Sequence, residues 1–238
     1  VEAKGLTLEV IESVPVHEDI KLGRPTRDRY IANYQQTLSH LAEAGVSVVC
    51  YNFMPVFDWT RSELAHRLTD GSFALAYDER TVQKMNPLNG DLELPGWDAS
   101  YRKDELKALL ESYRSVSEEG LWEHLHAFLE QVIPVAEEVG IKMAIHPDDP
   151  PWSIFGLPRI ITNQENLQRL VNLVDSPANG LTICTGSLGA NPKNDLPEII
   201  RHFGKEGRVH FAHVRNIKIA GDKSFTETSH RSADGSID

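Results

Sequence analysis

Apolar residues along this chain follow two alternating rhythms. Long stretches repeat every three to four residues. Each is followed by a glycine and a short, almost continuous apolar run that ends in polar residues. The unit appears as KGLTLEVIES from Gly5, AGVSVVCYNF from Gly45, VGIKMAIHP from Gly140, NGLTICTGS from Gly180 and EGRVHFAHVRN from Gly207. The first rhythm is that of an amphipathic helix, the second that of a strand covered on both faces. The glycines stand where helix C-terminal caps adopt the left-handed conformation. One helix is predicted over 27–44, burying Ile31, Tyr34, Leu38 and Leu41. Another is predicted over 118–139, burying Trp122, Leu125, Leu129, Val132 and Ile133, with a kink at Pro134. Thr162 and Glu165 read as a capping box for a helix burying Leu167, Leu170, Val171 and Val174, and Leu196 to Phe203 make a shorter one.

Strand–helix alternation with right-handed crossovers gives an α/β fold with a parallel sheet. The expected architecture is a (β/α)8 TIM barrel, read as one domain over 1–238. Five strands are legible where closure needs eight, so the chain is expected to cover only part of the barrel and to be incomplete at both ends. No GxGxxG or P-loop supports an open nucleotide-binding sheet instead. The units are unevenly spaced: 140 − 45 = 95 residues separate Gly45 from Gly140, against 180 − 140 = 40 between Gly140 and Gly180. The excess, about 54–101, is rich in Pro, Gly, Asp and aromatics and shows no clean period. It is expected to be a long loop insertion over the C-terminal face, serving as lid or specificity element.

Composition narrows the function. The net charge is 24 − 35 = −11 with no basic stripe, which excludes nucleic acid as a natural partner. No apolar run approaches the roughly 20 residues of a membrane span and no signal peptide is visible. Two cysteines, Cys50 and Cys184, are too few for a disulfide framework, which makes a reducing cytoplasm the expected location. Self-association into a homo-oligomer is left open.

Three soft-ligand residues fall near strand ends. His146 closes IKMAIH, Cys184 lies in GLTICTGS, and His213 lies near the end of RVHFAHVRN. In a barrel, strand C-termini converge on the face that carries the active site. Each residue has an ordinary reading when taken alone: a loop histidine bonded to Asp148 or Asp149, a small buried thiol, a core histidine. Together, at spacings of 184 − 146 = 38 and 213 − 184 = 29, they fit one ligand per β/α unit. Thiolate with imidazole suits Zn, Fe or Mn better than Mg or Ca. Other polar residues at strand ends are His17, Asn52, Trp59, Arg61, Arg215 and Asn216, whereas Cys50 reads as core.

The runs IESVPVHEDIK, VVCYNFMPVFDWTRSEL, KMAIHPDDPPWSIFGLPRI, the Cys184 strand with TGS, and FAHVRN followed by F-x-E-x-SH resemble the mannonate dehydratase family over almost the whole chain. The resemblance implies a xylose-isomerase-like barrel enzyme, a hydro-lyase of sugar-acid (glucuronate) catabolism that converts D-mannonate to 2-dehydro-3-deoxy-D-gluconate with Mn²⁺ or Fe²⁺. It implies that His146, Cys184 and His213 are three metal ligands. The family also has barrel segments preceding the position of Val1. Beyond Asp238 it continues into an RPDHG-type motif whose Asp completes the metal shell and whose His, with a later Tyr, takes part in proton transfer. The catalytic acid and base are therefore expected beyond Asp238, with Arg215 in support.

Removing a proton beside a carboxylate builds up unstable negative charge, which a divalent ion stabilises as a Lewis acid. Loss of the neighbouring hydroxyl then needs a general acid, and the proton needs a base. Arg215 is placed to hold the carboxylate, and His17, Asn52, Trp59 and Asn216 are candidates for the polyol chain. Two alternative readings are another metal-dependent barrel enzyme, such as a sugar isomerase or an endonuclease-like relative, and a non-catalytic metal-binding protein.

Overall fold

The structure, a computed structural model, describes residues 2–88 and 101–237. In chain order the elements are β1 (Val10–Glu12), α1 (Glu18–Lys21), α2 (Arg27–Glu43), β2 (Val48–Tyr51), β3 (Glu63–Arg67), β4 (Phe73–Asp78), α3 (Glu79–Val82), α4 (Lys103–Tyr113) and α5 (Glu118–Val139). They continue with β5 (Lys142–Ile145), α6 (Gln164–Leu173), β6 (Asn179–Cys184), α7 (Thr185–Gly189), α8 (Leu196–Lys205), β7 (Val209–His213), β8 (Ile217–Gly221) and β9 (Ser224–Glu227). Strands β1-β2-β5-β6-β7 pair in that order, every pair parallel, as in consecutive units of a β/α barrel. The expected α/β fold with partial barrel coverage is what the chain forms.

The helix α5 shows why the pattern folds as it does. Ser117 caps its N-terminus by accepting the Gly120 N–H, Glu118 and Glu119 face the positive end of the helix dipole, and Gly140 at φ 78° ends it. It runs unbroken through Pro134. Leu125, Phe128, Leu129, Val132 and Ile133 are all fully buried on one side. They join Leu38 of α2 and Met143 and Ile145 of β5 in a single core. Burying each such side chain stabilises the fold by roughly 1.5–3 kcal/mol, and Leu129→Ala would cost about 2–5 kcal/mol.

Two local expectations are corrected. Gly180 is not a helix cap but a buried residue inside β6, where a Cβ would collide with the His210 ring and the Arg208 carbonyl. The N-cap of α6 is Asn163, which accepts the Asn166 N–H, and not Thr162.

The segment expected to be a long loop is, over 63–82, a hairpin followed by the helical turn α3. The rest of the segment over 89–100 lies outside the described residues. The hairpin β3–β4 pairs with β9 and, through it, with β8, making a second, antiparallel sheet in the order β3-β4-β9-β8. Its turn carries Asp70-Gly71, with Gly71 at φ 88°, a turn signal sitting between two runs of strand-like residues. Tyr77 of β4 stacks on Phe225 of β9 at 5.6 Å, and the Trp152 indole donates to the Tyr77 hydroxyl. Aromatics from this segment and from beyond it thus form a second core. Among the described residues no helix is long and apolar enough to cross a membrane.

Candidate metal centre

Parallel pairing brings the chain of β6 level with that of β7, so that Cys184 and His213 are register partners. His146 follows directly after β5, the neighbour of β6 on its other side. One ligand atom from each of the three residues lies within 4.8 Å of the others. His146 Nδ1 is 2.7 Å from the Pro147 carbonyl, which can only accept, so that nitrogen carries the hydrogen and Nε2 presents a lone pair. His213 Nε2 is 2.7 Å from Glu12 Oε2 and donates to it, which leaves Nδ1 as the acceptor. The two free nitrogens face each other at 3.1 Å. Two lone pairs and a sulfur converging on one point repel one another unless a cation or a proton lies between them. Outer partners fixing each imidazole tautomer are the usual companions of metal-binding histidines. The donor set, two imidazoles and a thiol, fits a borderline-soft divalent ion.

Electrostatics point the same way. In the metal-free site protons take the place of an ion on the inner imidazole nitrogens: burial pushes the Cys184 thiol up, but hydrogen bonds from His146 and His213 and the charge of Arg215 outweigh it and bring the thiol down to about 5. His213 is pushed up to about 9, first by its hydrogen bond with Cys184 and then by Glu12. The Glu12 carboxyl is lowered by its bond to His213.

The sequence Cys184-Thr185-Gly186-Ser187 has a role at every position. The Thr185 hydroxyl accepts the Arg215 N–H at 2.9 Å and donates to the Arg215 carbonyl at 2.7 Å, tying β7's exit to α7. Gly186 leaves room for the Arg215 guanidinium, which a Cβ would strike. The Ser187 hydroxyl lies 3.1 Å from Cys184 Sγ and 3.2 Å from Asp149 Oδ2, and accepts from Arg215 Nη2 at 3.1 Å.

Asp149 is the hub of a buried charge network. Arg61 binds it bidentately at 2.9 and 3.1 Å, and Arg215 Nη2 reaches it at 2.6 Å. Arg61 also pairs with Glu227 of β9 at 2.8 Å, and Arg215 reaches the same carboxylate at 3.3 Å. The two guanidiniums overcome the burial penalty and hold the Asp149 carboxyl far below the usual range. Because Arg61 precedes β3 and Glu227 ends β9, this network fastens the antiparallel sheet to the loop after β5.

A cavity of about 390 Å³ opens beside the candidate ligands, walled by Glu12, Asn52, Asp58, Trp59, Arg215 and Glu227 among others. Of the residues singled out from sequence, Asn52, Trp59 and Arg215 therefore meet there with His146 and His213. The Asn52 side chain accepts the Met54 N–H, and Trp59 lies over the Arg61 guanidinium. His17 does not meet them. It caps α1, stacks on Tyr30 at 3.5 Å, and lines an adjoining cavity that shares Ser13, Asn52 and Asp58 with the first. Asn216 is buried and turned to the C-terminal segment, donating to the Ser229 and Arg231 carbonyls and accepting the Ile237 N–H. Arg215 is already engaged by two carboxylates, which its sequence position did not reveal. Glu12, Asp149, Ser187 and Glu227 were missed as site residues. Glu12 had a readable signal, being the polar residue that ends an apolar strand.

Comparison with known proteins bears on what this geometry serves. The family model for D-mannonate dehydratase (UxuA) matches residues 1–238. The chain belongs to the D-mannonate dehydratase family. It is 66% identical over 237 residues to mannonate dehydratase 2 of Halalkalibacterium halodurans, covering 100% of this chain and 69% of that protein. It is 60% identical to the mannonate dehydratase of Streptococcus uberis, covering 100% and 68%. The crystal structure of mannonate dehydratase from Streptococcus suis superposes with a TM-score of 0.91 at 49% identity, covering 100% of this chain and 64% of that one. The chain thus spans about two thirds of the length of these members of the family.

Proposed function

We propose that this chain supplies the metal-binding part of a mannonate dehydratase, a hydro-lyase that takes D-mannonate to 2-dehydro-3-deoxy-D-gluconate in hexuronate catabolism in the cytoplasm. The observation that carries the reading is the convergence of His146 Nε2, His213 Nδ1 and the Cys184 sulfur beside a polar cavity. These three residues would hold Mn²⁺ or Fe²⁺. When bound, the ion supplies Lewis-acid stabilisation of the charge that develops as the proton beside the carboxylate leaves. The protein's own groups bind and orient the substrate. Arg215, held by Asp149 and Glu227, presents a fixed guanidinium to the substrate carboxylate at the cavity wall. Asn52, with its carbonyl oxygen taken by Met54, offers its NH₂ group to a hydroxyl, and Trp59 closes the side of the cavity against water. His17 is placed for the far end of a longer polyol in the adjoining space. The test is formation of the 2-keto-3-deoxy acid from D-mannonate by the protein loaded with Mn²⁺ or Fe²⁺. Turnover that survives both exhaustive chelation and Cys184→Ala would sink the reading.

A further inference from the structure

The Ser187 hydroxyl stands between a carboxylate and a sulfur. On one side is Asp149 Oδ2, on the other Cys184 Sγ, and it has one proton to give. Its own lone pairs are turned to Arg215 Nη2, which donates to it at 3.1 Å. The competition between the two acceptors is unequal. Asp149 Oδ2 already receives Arg215 at 2.6 Å and Arg61 at 3.1 Å, and its other oxygen receives Arg61 at 2.9 Å. A carboxylate so supplied gains little from one more neutral donor. In the metal-bound site, where the inner imidazole nitrogens face the ion and their outer partners are Pro147 and Glu12, neither ring donates to the sulfur. It gains more from the proton. Ser187 is fully buried, so water does not compete for either partner.

We infer that Ser187 is a positioning residue for the metal centre: it donates its hydroxyl proton to the Cys184 thiolate, with its own orientation fixed by Arg215 and Asp149. This rests on the reading of Cys184 as a metal ligand. A hydrogen bond to a ligating thiolate draws electron density from the sulfur and fixes the direction of its lone pairs. Each of the three ligands then has one oxygen partner of its own: Pro147 for His146, Glu12 for His213 and Ser187 for Cys184. The Ser187 hydroxyl also joins Arg215 and Asp149, at the cavity wall, to the ligand set by hydrogen bonds.

The experiment uses Co²⁺ as a spectroscopic probe in the purified protein, comparing wild type with Ser187→Ala, Ser187→Thr and Cys184→Ala. The readout is the sulfur-to-cobalt charge-transfer band, together with Co²⁺ affinity. Without the hydroxyl the thiolate is a stronger electron donor, so the band moves to longer wavelength in Ser187→Ala; with the sulfur no longer held in position, Co²⁺ affinity nevertheless falls about 10-fold, the low end for loss of an outer partner. Ser187→Thr, which restores a hydroxyl, returns the band toward the wild-type position. A purely structural role for Ser187 would lower stability and leave the band where it was. A band present in wild type, lost in Cys184→Ala and unmoved in Ser187→Ala overturns the inference while leaving the metal ligands intact. A wild-type protein with no such band removes the metal reading, and the inference with it.

Discussion

Cys50 and Cys184 lie in the same parallel sheet, on β2 and β6 with β5 between them, and each is 1% exposed. Their thiols have opposite fates. Burial pushes Cys50 up to about 12. The Thr182 hydroxyl at 3.3 Å pulls it back only in part, and the Glu12 carboxylate opposes a second negative charge. Burial pushes Cys184 up as well, yet hydrogen bonds from two imidazoles and the charge of Arg215 outweigh it and bring the thiol down to about 5. Burial sets the sign for a thiol with few partners. Neighbours reverse it where cations and donors converge.

The strongest way to break this comparison is to remove each sulfur in turn. His146→Ala, Cys184→Ala and His213→Ala should each lose most bound metal, because a three-residue site cannot spare a ligand. Cys50→Ala should keep its metal and lose about 1 kcal/mol of stability. Elemental analysis beside denaturant melts decides it, and metal loss in Cys50→Ala would erase the distinction. Next in size is Arg215→Lys, which keeps the charge but not the forked geometry. Turnover of D-mannonate should fall about 100-fold with metal still bound. Kinetics equal to wild type would free Arg215 from the site.

Glu12→Gln tests the outer partner of His213. The neutral amide can still accept from Nε2, but it no longer strengthens the imidazole as a donor. Metal affinity should fall about 10-fold, read by competition with a chelator.

A pH experiment on metal-free protein sharpens the comparison further. The folded value of Cys184, about 5, lies below its ordinary value of 9.0, so its contribution to stability is full above 9 and is lost as pH falls through 5. His213, raised from 6.5 to about 9, contributes fully below 6.5 and loses its share as pH rises through 9. The two slopes offset each other between 6.5 and 9, so the pair should lose stability as pH drops from 6.5 through 5. The difference between wild type and Cys184→Ser in urea melts should shrink over that range, and a constant difference would contradict the assigned shift. The smallest effect belongs to Thr182→Val. It removes the hydroxyl that reaches Cys50 and the Ala144 carbonyl, for about 1 kcal/mol and no change in metal content.

Much of the barrel part was legible because its information is local. The period of α5, the apolar run of β6 and the glycines at 5, 45, 140 and 207 each sit within a few residues of what they specify, and the four glycines all have positive φ. The antiparallel sheet was not legible. Asp70-Gly71 could have announced a hairpin, but nothing local says that Ala76 of β4 pairs with Thr226 of β9, 150 residues away. The site divides in the same way. His146, Cys184 and His213 were readable as one polar ligand per strand end. Asp149 and Ser187 carry no signal of their own, since an aspartate in a proline-rich turn and a serine after glycine are ordinary loop residues.

The sequence by itself determined which residues form helix and strand, and which soft ligands stand at strand ends, because periodicity and residue chemistry are properties of the chain alone. Only the tertiary structure decided which cysteine ionises, which arginine is held by which carboxylate, and which nitrogen of each histidine is left free. Those depend on distances of about 3 Å between residues far apart in sequence, where one hydrogen bond or one unpaired charge outweighs the intrinsic preference of a side chain.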